Sequence, residues 1–421
     1  MADGNSTAAI RLSSSHRRLK VESAVDSISA LPDVILQHIL SFVPTELAIG
    51  TSLLSTRWRH VWCGTPSLSL CGNTLTADSI NETLTRYTAQ KMTDFHLKII
   101  TKKTIGHMHI WIKFAMSHNV ENLSLDINSG GFMNDDECNF PDFFYINSSV
   151  NQLSIKSTYL CNITPICSVS WTSLKKLSLS SCGLSDESMD KLISGCPFLE
   201  SLSLCWCNKF KVLDLTKSLR LRALEVKISC VTEIVAPHTH CLILRSALSC
   251  TLVDAASLTE SKLDIFFFST NSNFKLDFFQ AMVLKMLGNL QNVEKLTFGG
   301  NFLQVLSLAE VLGVPFPKFK NEHLDKYLNL QGLYLNLQGL NADQCWRSKD
   351  GVAWNKSRWD VEVKHVVSLV ELVFKNTKTL DKLVVQLNER YFRHIFEDLV
   401  TTFSHNNNVF ISLSPDTPDA W

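Results

Sequence analysis

From Val120 onward one short pattern keeps returning: an apolar residue, two spacers, a second apolar residue, one spacer, a third. It reads as Val120/Leu123/Leu125, Val150/Leu153/Ile155, Leu174/Leu177/Leu179, Leu199/Leu202/Leu204 and Leu221/Leu224/Val226. The middle residues stand 30, 24, 25 and 22 positions apart. The last two apolar residues of each unit alternate with polar ones, which is the period of a half-buried strand. A strand that returns every 20–29 residues or roughly so cannot bury its apolar side alone. Stacked coils can pair such strands in parallel and share one core, with helices or turns on the convex side. Weaker copies follow at Leu242/Leu244, Leu263/Ile265, Val293/Leu296/Phe298, Leu330/Leu333/Leu335 and Leu380/Leu383/Val385. Ahead of the series, Asp78 to Lys91 reads as a helix and Phe95-His96-Leu97-Lys98-Ile99 as a strand.

Three segments break the rhythm. Asn128 to Asn147 combines Gly130-Gly131, a run of acids and the aromatics Phe143, Phe144 and Tyr145. Phe266 to Gln291 is apolar, with a helix expected over Lys275 to Leu287. Asn341 to Glu362 carries Trp346, Trp354 and Trp359 among charges and is expected to be a long loop. The chain then reads helix (Val363 to Lys375), strand (Leu383 to Leu387), helix (Tyr391 to Phe403) and strand (Val409 to Leu413).

The N-terminal part differs. Over DSISALPDVILQHILSFVPTELAIGTSLLSTRWRHVWCGTPSLSL, residues 26–70, the pattern predicts three helices. The first runs from Val34 to Val43, with Pro32 near its start and Pro44 as its stop. Leu31, Ile35, Ile39 and Phe42 share one stripe of it, and Leu36, Leu40 and Val43 a second. Glu46 to Leu53 follows with Thr45 as N-cap, and a third helix opens at Ser55 with Trp58, Val61 and Trp62 on one side. So small a unit carries more apolar surface than its own core can use. Either it is a cap buried on the rest of the chain, or its surplus face belongs to a partner.

The residues Leu31-Pro32-Asp33, Ile35-Leu36, Ile39-Leu40-Ser41, Pro44-Thr45, Thr51-Ser52, Leu54-Ser55, Arg57-Trp58-Arg59 and Trp62 strongly resemble the F-box of plant F-box/leucine-rich-repeat proteins. That family usually carries basic residues near Glu46, Gly50 and Thr56; here they are absent and the apolar anchors are intact. Cys182 and Cys207, each three residues past a last strand leucine, resemble the turn-capping cysteines of the family's repeats. The closing helix and strand series is loosely similar to the C-terminal FBD region of the same proteins. The resemblance implies an α/β chain: a three-helix F-box, then an irregular leucine-rich-repeat solenoid with parallel strands on its concave side. The expected division is a disordered leader at 1–24, the F-box at 25–70, the solenoid at 71–362 and an FBD-like cap at 363–421.

Composition narrows the function classes. Lys plus Arg equals Asp plus Glu, 40 against 40 in 421 residues, which argues against a general phosphate-binding surface and so against nucleic acid as partner. Charged residues make up 19% and apolar residues 45%, so a large core is within reach. No run approaches the ~18 apolar residues of a membrane span, and the first twenty or so residues lack an apolar signal core. The 13 cysteines are an odd number, which with that leader points to free thiols in the cytoplasm or nucleus.

No phosphate loop and no nucleophile elbow occurs. Cys205-x-Cys207 lacks zinc-ribbon spacing, and His107-x-His109 and His238-x-His240-Cys241 lack a second cluster, so no metal and no cofactor is expected. The resemblance therefore implies a non-catalytic receptor of an SCF-type, cullin-RING ubiquitin ligase. Its F-box would dock a Skp-type adaptor through Leu31, Pro32, Ile35, Leu36, Ile39, Leu40, Val43, Leu54, Trp58 and Trp62. The repeats would bind a protein target, to which Trp346, Trp354 and Trp359 could contribute. The alternative is a repeat protein for interaction or small-molecule sensing that does not act in degradation. That reading needs strand-adjacent bases, such as Lys175, Lys176, Arg220, Arg222 and Lys227, to converge on one pocket.

Overall fold

The computed structural model describes residue 28 and residues 30–266, apart from 72–75, 101, 129–139 and 248–249. Beyond them it describes residues 295–299, 333–338, 383–407 and 409–414, with isolated positions between. The expected leader, the Trp346/Trp354/Trp359 segment and the helix over Lys275 to Leu287 lie outside the described residues, the last but for Met286.

Three short helices open the chain: α1 (Asp33–Leu40), α2 (Thr45–Gly50) and α3 (Trp58–Val61). Single 3-10 turns, Thr51–Leu53 and Trp62–Gly64, extend the last two. Pro44, not Thr45, is the N-cap of α2. The Thr45 hydroxyl is buried and accepts a hydrogen bond from the Ser69 amide at 2.7 Å, so it ties α2 to the first strand instead of capping a helix. Leu36, Leu40, Ala48, Trp58, Val61, Trp62 and Cys63 form one closed cluster. Arg57 locks α3 to the start of α1: its guanidinium donates to Asp33 Oδ1 at 2.7 Å and to the Leu31 carbonyl.

The repeat reading matches the sheet. Strands β1 (Ser67–Leu70), β2 (Asp94–Ile99), β3 (Asn122–Ile127), β5 (Gln152–Asn162), β7 (Lys176–Gly183), β8 (Ser201–Cys205), β10 (Ala223–Lys227), β12 (Cys241–Ala247) and β14 (Glu260–Phe266) stand side by side in that order. Continuing the same sheet are β15 (Lys295–Gly299), β16 (Leu333–Gln338), β17 (Leu383–Asn388) and β18 (Val409–Ser414). Every neighbouring pair is parallel, and Leu177, Leu202 and Leu224 are direct partners. Strand alternation puts Leu123, Leu153, Leu177, Leu202, Leu224 and Leu242 in one buried row, and Leu125, Ile155, Leu179, Leu204, Val226 and Leu244 in the next.

Three weaker copies are shifted by two residues. Ser261, not Leu263, stands opposite Leu242 and Leu296; Leu335 and Val385 likewise replace Leu333 and Leu383 in the middle row. A shift of two keeps every side chain on its own face, so the spacing of apolar residues alone does not reveal it.

The return side changes along the chain. Helices α4 (Ala77–Arg86), α5 (Lys102–Ile105), α6 (Met108–Ser117), α7 (Asp142–Tyr145) and α8 (Asp186–Ser194) lie between the strands of the early coils. A two-stranded parallel pair, β4 (Ile146–Asn147) and β6 (Ser170–Trp171), stands among them, and short strands β9 (Val212–Asp214), β11 (Glu233–Val235) and β13 (Thr251–Val253) back the later coils as a further parallel sheet. From Leu202 to Leu224 the step is 22 residues and from Leu224 to Leu242 it is 18, too few for a strand, a helix and two turns. Helix α4 stops at Arg86, short of the expected Lys91, because residues 87–94 must bring the chain back to β2. Helix α8 ends at Gly195, where a Cβ would meet Val169 at 2.6 Å. A last helix, α9 (Glu389–Phe403), separates β17 from β18.

The two cysteines at the turn slots are fully buried. Cys207 Sγ donates to the Leu179 carbonyl at 3.3 Å, and Cys182 Sγ to the Ser180 carbonyl at 3.5 Å. A hydrogen bond with Cys207 and burial together push the Cys182 thiol well up. Ten described cysteines carry free thiols, whereas Cys161 is disulfide-bonded, contrary to the expectation of free thiols throughout. Cysteine count bears on compartment, not on which thiols a fold brings together. No described helix is long and apolar enough to cross a membrane.

Candidate functional site: the open face of the N-terminal helices

The two apolar stripes of α1 part company. Leu36 and Leu40 face inward, 0% and 6% exposed, against Trp58, Val61 and Trp62 from α3 and its extension. Ile35 and Ile39 face outward, each 45% exposed; past the helix end Phe42 is exposed, and so is Val43, which helical spacing places with Leu36 and Leu40 but which lies beyond α1 and outside their cluster. Leu54 is also exposed, Leu31 packs partly on the inner cluster, and Pro32 is exposed as N-cap. Of the expected docking residues, Leu36, Leu40, Trp58 and Trp62 are thus interior to the helical unit. The cause is packing: Trp58 of α3 and Trp62 of its extension are the aromatic side chains of that cluster, and the helix row they meet turns inward.

Four exposed residues extend the face beyond expectation: Val34, Phe42, Leu47 and Leu53, the last 92% exposed. Phe42 was placed on the correct stripe, and its edge contact with His38 at 4.9 Å orders the rim. Leu47 lies on α2 and Leu53 on its 3-10 extension. Glu46, Gly50 and Thr56 are exposed and none is basic, while Arg57 beside Thr56 pairs with Asp33 at 2.7 Å. The chemistry of the face is that of apolar burial: a complementary surface gains by removing these side chains from water.

The strand-adjacent bases do not share a pocket. Lys227 pairs with Glu225 at 2.6 Å, Arg220 lies over the Phe198 ring at 4.5 Å, and Arg222 donates to the Leu219 and His238 carbonyls. Burial alone would raise the Glu225 carboxyl; bonds from Lys227 and Ser203 and the charges of Lys227 and Lys262 outweigh it and hold it low. His107 stacks on Trp111 and His240 contacts the His238 carbonyl, and among the described residues no group of His, Cys, Asp or Glu could hold a metal ion.

Comparison with known proteins bears on both parts. The F-box domain model matches residues 28–69, and the model described as "At1g61320/AtMIF1, LRR domain" matches residues 84–343. At3g18150 of Arabidopsis thaliana is 50% identical over 468 aligned positions, covering 100% of each chain. The F-box/LRR-repeat proteins At5g02910 and At3g03360 of the same plant are 44% and 42% identical, covering 92% and 94% of this chain and 94% and 92% of their own.

Proposed function

Because this chain belongs to the plant F-box/leucine-rich-repeat proteins, we propose that it is the substrate-recognition subunit of an SCF-type ubiquitin ligase. In this reading the F-box docks a Skp-type adaptor, which links it to a cullin carrying the RING subunit and a charged conjugating enzyme. The repeats hold a target protein. The chain performs no bond chemistry. It acts by proximity, raising the effective concentration of target lysines at a bound thioester. Cytoplasm or nucleus is the matching place of action.

One observation carries the adaptor reading. The helices already possess a closed core, yet Ile35, Ile39, Phe42, Val43, Leu47, Leu53 and Leu54 remain exposed on one small unit. A protein has no folding use for such a surplus, whereas an obligate interface does. Ile35→Asp tests it. The carboxylate enters the interface without a partner and should weaken adaptor binding by about 30- to 1000-fold, on the order of 2–4 kcal/mol. Ile35 is nearly half exposed, so the melting temperature should hold. Leu36→Ala is the control: it hollows the interior and should cost roughly 2–5 kcal/mol of stability. Adaptor capture by the Ile35→Asp chain at wild-type strength would remove the docking reading.

A further inference from the structure

A cavity of about 750 Å³ opens to solvent near the last strands, whereas the docking helices meet the sheet at β1, its other end. A helical stretch within 363–371 and the C-terminal end of α9 wall it, and the turn that leads to β18 closes a third side. Its volume lies within the roughly 300–1,000 Å³ of small-molecule sites. Val367, Val370 and Phe403 give it an apolar floor. Val370 is 1% exposed and belongs to the main core, and the other two pack against that core, so the floor is in place before anything binds.

Glu371 also lines the cavity, exposed, and pairs with no cation among the described residues. By contrast Glu82, Glu121, Glu187 and Glu225 each hold a lysine or an arginine. No lysine or arginine stands among the described residues of the lining. The surrounding elements do not supply the missing charge. Strands β17 and β18 are uncharged throughout. On α9, Asp398 stands one turn before Thr402, whose hydroxyl donates to its carbonyl at 2.7 Å. The described bases of the two helices are Lys364, seven residues before Glu371, and Arg393, nine before Thr402; each already has a partner.

The end of α9 carries the same sign. A helix closes on carbonyls that lack intrahelical partners and bear a partial negative charge. Helices α4 and α8 meet that charge with Arg86 and Lys191 in their last turns. In α9, 15 residues long, the last turn has no base, and its Thr402 and Phe403 border the cavity.

We propose that this cavity binds a small organic cation, an ammonium or guanidinium on a short hydrocarbon arm. Glu371 and the carbonyl end of α9 take the head, and His405 and Asn407 offer further acceptors at the rim. The arm lies on Val367, Val370 and the Phe403 ring, whose face also attracts a cation. Such a head arrives on a free amine or on a lysine or arginine of another protein. The inference does not rest on the receptor reading, since no docking residue borders the cavity.

The test is calorimetric titration of the full chain with three four-carbon probes that differ only at their ends: putrescine, butanediol and succinate. Putrescine should bind about tenfold or more tightly than butanediol, and succinate should not bind. Glu371→Gln should weaken putrescine about five- to tenfold while the melting temperature holds, because the side chain is exposed. Thr402→Lys builds a cation into the last turn of α9; it should abolish putrescine binding and hold or raise the melting temperature. Agmatine and a capped Gly-Gly-Arg-Gly-Gly peptide separate the two sources. Tighter binding of agmatine assigns a free small molecule, and tighter binding of the peptide assigns a protein side chain. Equal binding of putrescine and butanediol overturns the inference, as does tighter binding of succinate or an unchanged affinity in Glu371→Gln. Failure of both putrescine and agmatine to bind also overturns it.

Discussion

His96 stands on the open face of β2, half buried beside Lys98 on its own strand and Asp126 on β3. Burial, aided by Lys98 and opposed by Asp126, pulls its imidazole below the usual range. The folded chain thus disfavours the proton that the unfolded chain accepts. Its contribution is complete above the ordinary imidazole pKa of about 6.5 and is lost as pH falls from there through the lowered pKa of the folded chain. Melting temperature should decline between about pH 7 and pH 5, and His96→Gln should flatten part of that decline. Thermal scans across that range read both. Leu36 and Ile35 teach a related lesson in selection. Both were readable as apolar anchors, and their helical spacing put them on separate stripes. Which stripe faces water depends on where Trp58 and Trp62 land, more than twenty residues away, and local periodicity carries no such information.

Among the elements, the strands were the most legible, because a two-residue alternation flanked by turns leaves little choice. Their backing was not. Helix gives way to strand behind β8 and β10 because the coils shorten, a consequence of counting across units. The shift at Ser261 escaped for another reason: a serine in a leucine row breaks the pattern, while the row itself goes on. At the junction between α2 and β1 the sequence suggests a Thr45 cap. Its hydroxyl serves the Ser69 amide instead, so Thr45→Val should leave a buried donor unmet and cost about 1–3 kcal/mol. Faster exchange of the Ser69 amide, with α1 unaffected, is the expected signature in hydrogen-exchange measurements.

At the scale of the molecule, thirteen parallel strands form one sheet, one buried cluster runs from Leu68 to Val409, and the first helices keep another. Stability in such a stack is a sum of coil and neighbour terms. Leu202→Ala, at a position with no exposed surface, should cost roughly 2–5 kcal/mol and loosen β7 and β10 first. Exchange in the N-terminal helices should stay as it was; a uniform rise would mean that the two clusters unfold together.

The seam between those clusters is densely bonded. Besides Thr45 and Ser69, the Cys63 carbonyl accepts from the Thr88 amide at 2.8 Å and the Tyr87 hydroxyl donates to the Thr65 carbonyl at 2.8 Å. This is a welded bracket, not a swivel. A receptor on a swivel would sweep its cargo past the thioester and mark whatever lysine came by. In the proposed receptor role, one on a bracket would hold its cargo at a set height and bearing, so the lysine that is marked would be chosen by surveying: the one that the target's own shape places within reach.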